Sequence, residues 1–182
     1  MTIRFEGQPR GQVGVYYEGS MQFRSTPMGA LYLGSSGRTG FPDNGTGYLE
    51  TPDAGSFGDG VTFGPTNAFP ASAPFDLISF DAAEFGSLGP TLLTVVGWKP
   101  MAGTVTNLFT TDGINDGTGP LQDFQTFNLD SSFVNLFRVD IYGRFSLDNV
   151  VISSIPEPST SALLFLATAC AFGRSRIRRM RL

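Results

Sequence analysis

The chain has 182 residues, enough for one domain and a short appendage. Its 23 Gly and 12 Pro disfavour helix over most of its length, while 17 Phe supply a core. With no His and one Cys, Ser-His-Asp and Cys-His machinery, an intrachain disulfide, zinc-thiolate and iron–sulfur sites are excluded. The net charge of -4 divides into -9 over residues 1–158 and +5 over residues 159–182, and so acidic a body argues against nucleic acid as a partner.

Residues 1–34 alternate short apolar runs with turn residues. Thr2–Glu6, Val13–Tyr17, Met21–Phe23 and Ala30–Leu33 are predicted strands, broken at Pro9 and at Glu18-Gly19-Ser20. Residues 34–74 are rich in loops, with Tyr48–Thr51 and Gly60–Phe63 as strands between them. The Gly34, Gly37 and Gly40 spacing is not a phosphate loop, because no Lys-Ser/Thr and no helical pattern follows.

From residue 75 the pattern becomes regular. Phe75–Ala82 carries apolar residues on both faces, as a central sandwich strand does. Leu92–Trp98 is rich in β-branched residues and turns through Lys99-Pro100-Met-Ala-Gly103 into Thr104–Thr111, a predicted hairpin. Phe124–Leu129 follows. In Asn135–Tyr142 the alternation sends Phe137, Val139 and Ile141 inward and leaves Leu136, Arg138, Asp140 and Tyr142 opposite. Phe145–Ser153 closes the domain. About ten strands with turn signals every 8–12 residues predict an all-β fold, an antiparallel β-sandwich of jelly-roll type over residues 1–153.

The remainder, residues 154–182, has a different composition. A linker with Pro156-Glu157-Pro158 spans 154–159 and forbids further strand pairing. Residues 160–173 are uncharged and predict a single transmembrane helix. Residues 174–182 hold Arg174, Arg176, Arg178, Arg179 and Arg181. The run is shorter than the roughly 20 residues that span hydrocarbon, but arginines snorkel and lengthen the effective span. The positive-inside rule places the C-terminus in the cytoplasm and the β domain outside, with inner-membrane lipid as a partner. Cys170, inside the apolar run, is a small hydrophobe.

Pro156-Glu157-Pro158, an apolar helix and a terminal Arg cluster together resemble the PEP-CTERM sorting signal of Gram-negative, exopolysaccharide-producing bacteria. The resemblance implies recognition of the tripeptide by a membrane enzyme, the exosortase. The helix and basic tail then hold the substrate in the inner membrane until processing. More loosely, Thr2-Ile-Arg-Phe-Glu-Gly7, the Phe75–Phe80 strand and Phe145-Ser-Leu-Asp-Asn-Val150 are similar to ectodomains of this family. One feature departs from it: Met1–Gly7 moves straight into strand-like sequence with no apolar h-region, so a secretory signal peptide is expected to be missing from this chain.

Ligand-like groups in the body are few. Asp112, Asn115 and Asp116, and likewise Asp43 and Asn44, offer oxygens suited to Ca²⁺ but sit where turn-forming Asx residues are expected. Trp98, at a strand end, is the leading sugar-stacking candidate, with Tyr16, Tyr17, Tyr32, Tyr48 and Tyr142 behind it. The predicted architecture also resembles jelly-roll carbohydrate-binding modules, which often hold a structural Ca²⁺ where the chain ends join. By that resemblance Glu6 and Asp148, on the first and last strands, would supply such a site; no other cofactor is expected.

The expected function is non-enzymatic: an exported surface or extracellular-matrix protein, anchored and then sorted through its tail. A carbohydrate-binding module that retains exopolysaccharide is the first alternative. A small secreted hydrolase is the second, and would need two carboxylates roughly 5–10 Å apart across a cleft.

Overall fold

The computed structural model describes residues 1–7, 9–26, 31–51, 60–66, 74–86, 89–115 and 123–154. In chain order the strands are β1 (Thr2–Ile3), β2 (Gly11–Val13), β3 (Val15–Glu18), β4 (Met21–Thr26), β5 (Leu31–Ser35), β6 (Gly47–Glu50) and β7 (Gly60–Pro65). They continue with β8 (Phe75–Glu84), β9 (Leu92–Lys99), β10 (Gly103–Thr110), β11 (Gln125–Asn128), β12 (Arg138–Tyr142) and β13 (Phe145–Ser154). A 3-10 turn, Pro100–Ala102, joins β9 to β10.

Two antiparallel sheets face each other. One runs β11-β8-β13-β6-β5-β2, with β1 added on β13; the other runs β10-β9-β12-β7-β4-β3. The expected two-sheet sandwich is present, and the 92–111 hairpin has a continuous register from Lys99 opposite Gly103 to Leu92 opposite Thr110. Residues 13–17, expected as one strand, divide instead. Gly14 separates β2 from β3, and the two lie in different sheets. The segment 135–142 also differs. Asn135 has a positive φ of 57°, Leu136 bridges to Phe75, and regular pairing begins only at Arg138. Leu136 is therefore fully buried, where alternation had set it opposite the inward Phe137.

The core lies between the sheets. Val61, Phe63, Leu93, Val95, Val139 and Ile141 face Phe80, Ala82, Phe145, Leu147, Val150 and Leu49, all with no exposed surface. Each large apolar side chain so buried contributes about 1.5–3 kcal/mol. Phe5, Phe23, Phe63 and Phe75 form a chain of rings with centroids 5.1, 5.0 and 6.3 Å apart. Gly97 keeps room for this packing: a Cβ there would stand 2.9 Å from both Leu136 and Val105.

The outer faces of the two sheets differ. On the seven-stranded sheet, Tyr48, Ala83 and Phe124 form a second buried cluster. The loop between β5 and β6 is tied down by the Arg38–Glu50 ion pair at 2.8 Å and by Asp148, which accepts hydrogen bonds from Asn44 and Thr46. Among the described residues the outer face of the six-stranded sheet stays open. Tyr17 is 57% exposed and Leu108 63%.

Candidate functional site

The open face is organised by β12. Its alternation turns Val139 and Ile141 inward and Arg138, Asp140 and Tyr142 outward. Register sets Arg138 opposite Trp98 on β9, and Asp140 opposite Thr62 on β7. Asp140 is nevertheless only 2% exposed, because four side chains close on it. The Trp98 indole N–H donates to its Oδ2 at 2.6 Å, Arg138 Nη2 at 3.0 Å and the Tyr142 hydroxyl at 3.4 Å; the Thr62 hydroxyl donates to Oδ1 at 2.8 Å.

The Arg138 guanidinium also lies 4.0 Å over the Trp98 ring. The indole is thus held at its N–H and over its face, and its orientation is set before any ligand arrives. Burial, followed by the Asp140 charge, raises the Tyr142 phenol above its ordinary range, so it remains a neutral donor. On β4, Arg24 donates to Gln22 Oε1 at 3.0 Å, and Gln22 donates onward to the Pro65 carbonyl. The face therefore combines a fixed aromatic ring with guanidinium, phenol and amide groups. Such a surface can stack on an apolar ring face and hydrogen-bond the hydroxyls around it.

Trp98, singled out in the sequence, lies in this arrangement and is half-buried. Asp140 and Arg138 were not singled out. Their signal was the same alternation that sends Val139 and Ile141 inward. Of the tyrosines, Tyr142 joins Trp98 and Tyr17 is exposed on the same sheet, whereas Tyr16 and Tyr48 are buried and Tyr32 lies on the other sheet.

Glu6 and Asp148 lie on opposite sides of another feature. β1 does pair with β13, with Thr2 opposite Val151 and Ile3 opposite Val150. Glu6 follows in an exposed turn that walls a pocket, while Asp148 is fully buried behind Thr46 in the opposite wall. Asp148 accepts from Asn44 Nδ2 at 2.6 Å, Thr46 Oγ1 at 2.9 Å and the Asn149 amide at 2.7 Å. Burial pushes its carboxyl up to about 6, and the charge of Asp81 adds to the rise, while these hydrogen bonds oppose it.

The loop acids make turns. Asp43 accepts from the Gly37 and Gly45 amides, Asn44 from the Thr46 amide, and Asp112 from the Ile114 amide. Asn115 is half-buried, and Asp116 lies outside the described residues. Among the described residues no three His, Cys, Asp or Glu side chains are gathered to hold a metal ion.

Pro156, Glu157 and Pro158, the apolar segment 160–173 and Arg174, Arg176, Arg178, Arg179 and Arg181 all lie outside the described residues. Among the described residues no helix is long and apolar enough to cross a membrane.

No protein-family model and no curated protein matches the chain. Three solved structures are similar in part. A DUF4465 family protein from Bacteroides caccae is 11% identical over 81% of this chain and 88% of its own, with a TM-score of 0.45. The CBM22-1-GH10 modules of Clostridium thermocellum endo-1,4-beta-D-xylanase 10B, complexed with xylohexaose, are 15% identical over 88% of this chain and 30% of their own, with a TM-score of 0.40. The enzymatically active domain of bacteriophage CBA120 tailspike protein 4 is 16% identical over 75% of this chain and 19% of its own, with a TM-score of 0.34.

Proposed function

We propose that this chain is a non-enzymatic, exported surface or extracellular-matrix protein. Its jelly-roll-type sandwich is joined through Pro156-Glu157-Pro158 to a membrane helix and a cytoplasmic Arg tail, and an exosortase is its processing partner. The observation that carries this is the order of the tail: proline-flanked acid, uncharged run, Arg cluster. The fold supports it, because β13 ends at Ser154, two residues before Pro156. The tripeptide thus follows the last paired strand closely in the sequence. Replacing Pro156, Glu157 and Pro158 together with alanine is expected to leave only the full-length species in a host that has the exosortase. Unchanged product size on immunoblots would refute the assignment.

A carbohydrate-binding role is the second reading, favoured by the fixed Trp98 ring on an open sheet face. Trp98 is the single tryptophan, so its fluorescence reports directly. Titrating the full chain in detergent with exopolysaccharide fragments is expected to shift its emission. By calorimetry, Trp98→Ala is expected to weaken binding about tenfold, the worth of one lost stacking contact. Equal affinity for both proteins would remove the face from consideration.

A further inference from the structure

A pocket of about 370 Å³ opens between the N-terminal turn and the β5–β6 loop. Its wall includes Glu6, Ser35, Ser36 and Thr46, with Gly34 and Gly47 between them. The glycines are required there. A Cβ on Gly34 would run into the Tyr48 ring, and one on Gly47 would stand 2.7 Å from the Phe5 carbonyl oxygen. Gly34 is itself buried, whereas Gly7 and Gly45 are exposed and Gly47 half-buried in the lining, so that peptide groups border the pocket there.

Both walls are held from behind by carboxylates. Glu18 accepts the Arg4 and Phe5 amides at 3.0 Å each and the Tyr16 hydroxyl at 2.7 Å. This grip holds Phe5 at a φ of +56°, a conformation unfavourable for a bulky L-residue. The Phe5 ring stays in the core, 5.2 Å from Tyr16, while the next residue, Glu6, is turned outward. Across the pocket, Asp148 and Asn44 fix Thr46. Backbone strain at Phe5 and two carboxylates, Glu18 half-buried and Asp148 fully buried, are thus spent on positioning these walls. Yet no described group bonds the Glu6 carboxylate or the Ser35 and Ser36 hydroxyls.

We propose that this pocket binds an amino-sugar unit of a glycan, its ammonium on Glu6 and its hydroxyls on Ser35, Ser36 and the glycine backbone. Among the described residues Glu6 is the only charged side chain in the lining. One carboxylate among hydroxyls and peptide groups matches a ligand that carries one cation and several hydroxyls. It does not match Ca²⁺, which takes six to eight oxygens with several carboxylates among them. The charge of -9 over residues 1–158 favours a cationic glycan over an anionic one. The assignment needs neither the sorting tail nor the Trp98 face.

The test is calorimetric titration of the full chain in detergent with a fully deacetylated glucosamine tetramer, its N-acetylated counterpart, and Ca²⁺ alone. The deacetylated tetramer is expected to bind, and the acetylated one to bind at least about tenfold more weakly, as loss of a charge-assisted hydrogen bond implies. Glu6→Gln is expected to bring the same tenfold loss with an unchanged melting temperature, because the side chain is exposed. Equal binding by Glu6→Gln, equal affinity for the two tetramers, no binding of either, or a response to Ca²⁺ alone would overturn the proposal. Loss in Trp98→Ala with none in Glu6→Gln would also overturn it, by moving the glycan to the open sheet face and leaving the second functional reading in place.

Discussion

Asp140→Ala is expected to cost about 2–4 kcal/mol and lower the melting temperature by roughly 5–15 °C. The substitution removes one buried carboxylate but strands four neighbours. The Trp98 N–H and the Thr62 and Tyr142 hydroxyls lose their acceptor, and Arg138 loses its ion pair. The range stays below that of a fully buried pair because the Arg138 side chain is 30% exposed, against 3% for Asp140. Asp140→Asn keeps an acceptor and is expected to cost only about 1 kcal/mol. Fluorescence separates a local from a general effect. In folded Asp140→Ala the Trp98 emission should move to the red and become more accessible to quencher, because the ring is freed at its N–H. A melting temperature and emission like those of the native protein would show that Asp140 does not hold the ring.

Stability is expected to rise, not fall, as pH drops from 7 to 5. The Asp148 carboxyl titrates near 6 in the fold and near 3.8 in the open chain. Between those values the folded state binds more protons than the unfolded state. The stabilisation is therefore fully present below about pH 4 and is lost as pH rises through about 6. It amounts to about 1 kcal/mol between pH 7 and pH 5, and approaches about 3 kcal/mol in acid. Asp148→Asn keeps an acceptor for Asn44 and Thr46 and removes the titration, so its denaturation midpoint should be nearly flat over the same interval. A native protein that loses stability steadily from pH 7 to pH 5 would show that the Asp148 carboxylate is better compensated than its burial implies.

The hairpin of β9 and β10 was legible because β-branched alternation and a Lys-Pro turn are both local signals. So was the inward face of β12, where Val139 and Ile141 alternate with polar residues. The division of residues 13–17 between two sheets was not legible, because a strand that crosses at Gly14 looks the same locally as one that continues. The inward Leu136 depends on a bridge to Phe75, sixty-one positions away. Burial of Asp140 and Asp148 was hidden for a similar reason. Polar residues on an outward face are expected in water, and only partners from Thr62, Trp98, Asn44 and Thr46 enclose them. The bulge at Asn149, with a φ of 44° and a side-chain bond to Asp81, shifts the register of β13 in a way that alternation alone does not reveal. The expected β1–β13 pairing is present, but Glu6 lies in the exposed turn beyond β1 while Asp148 is buried and bonded to Asn44 and Thr46.

The position of β13 has a mechanical consequence. It is paired on one side with β8 and on the other with β6 and β1, and its last residue, Ser154, is still opposite Phe75. A tether pulling on the chain beyond Ser154 would load these ladders along their length, so that many hydrogen bonds resist together. Were the tether fixed to an edge strand such as β10, the same force could peel bonds one after another. A domain hung by its central strand is suited to stand on a surface under drag from flow or from a bound polymer.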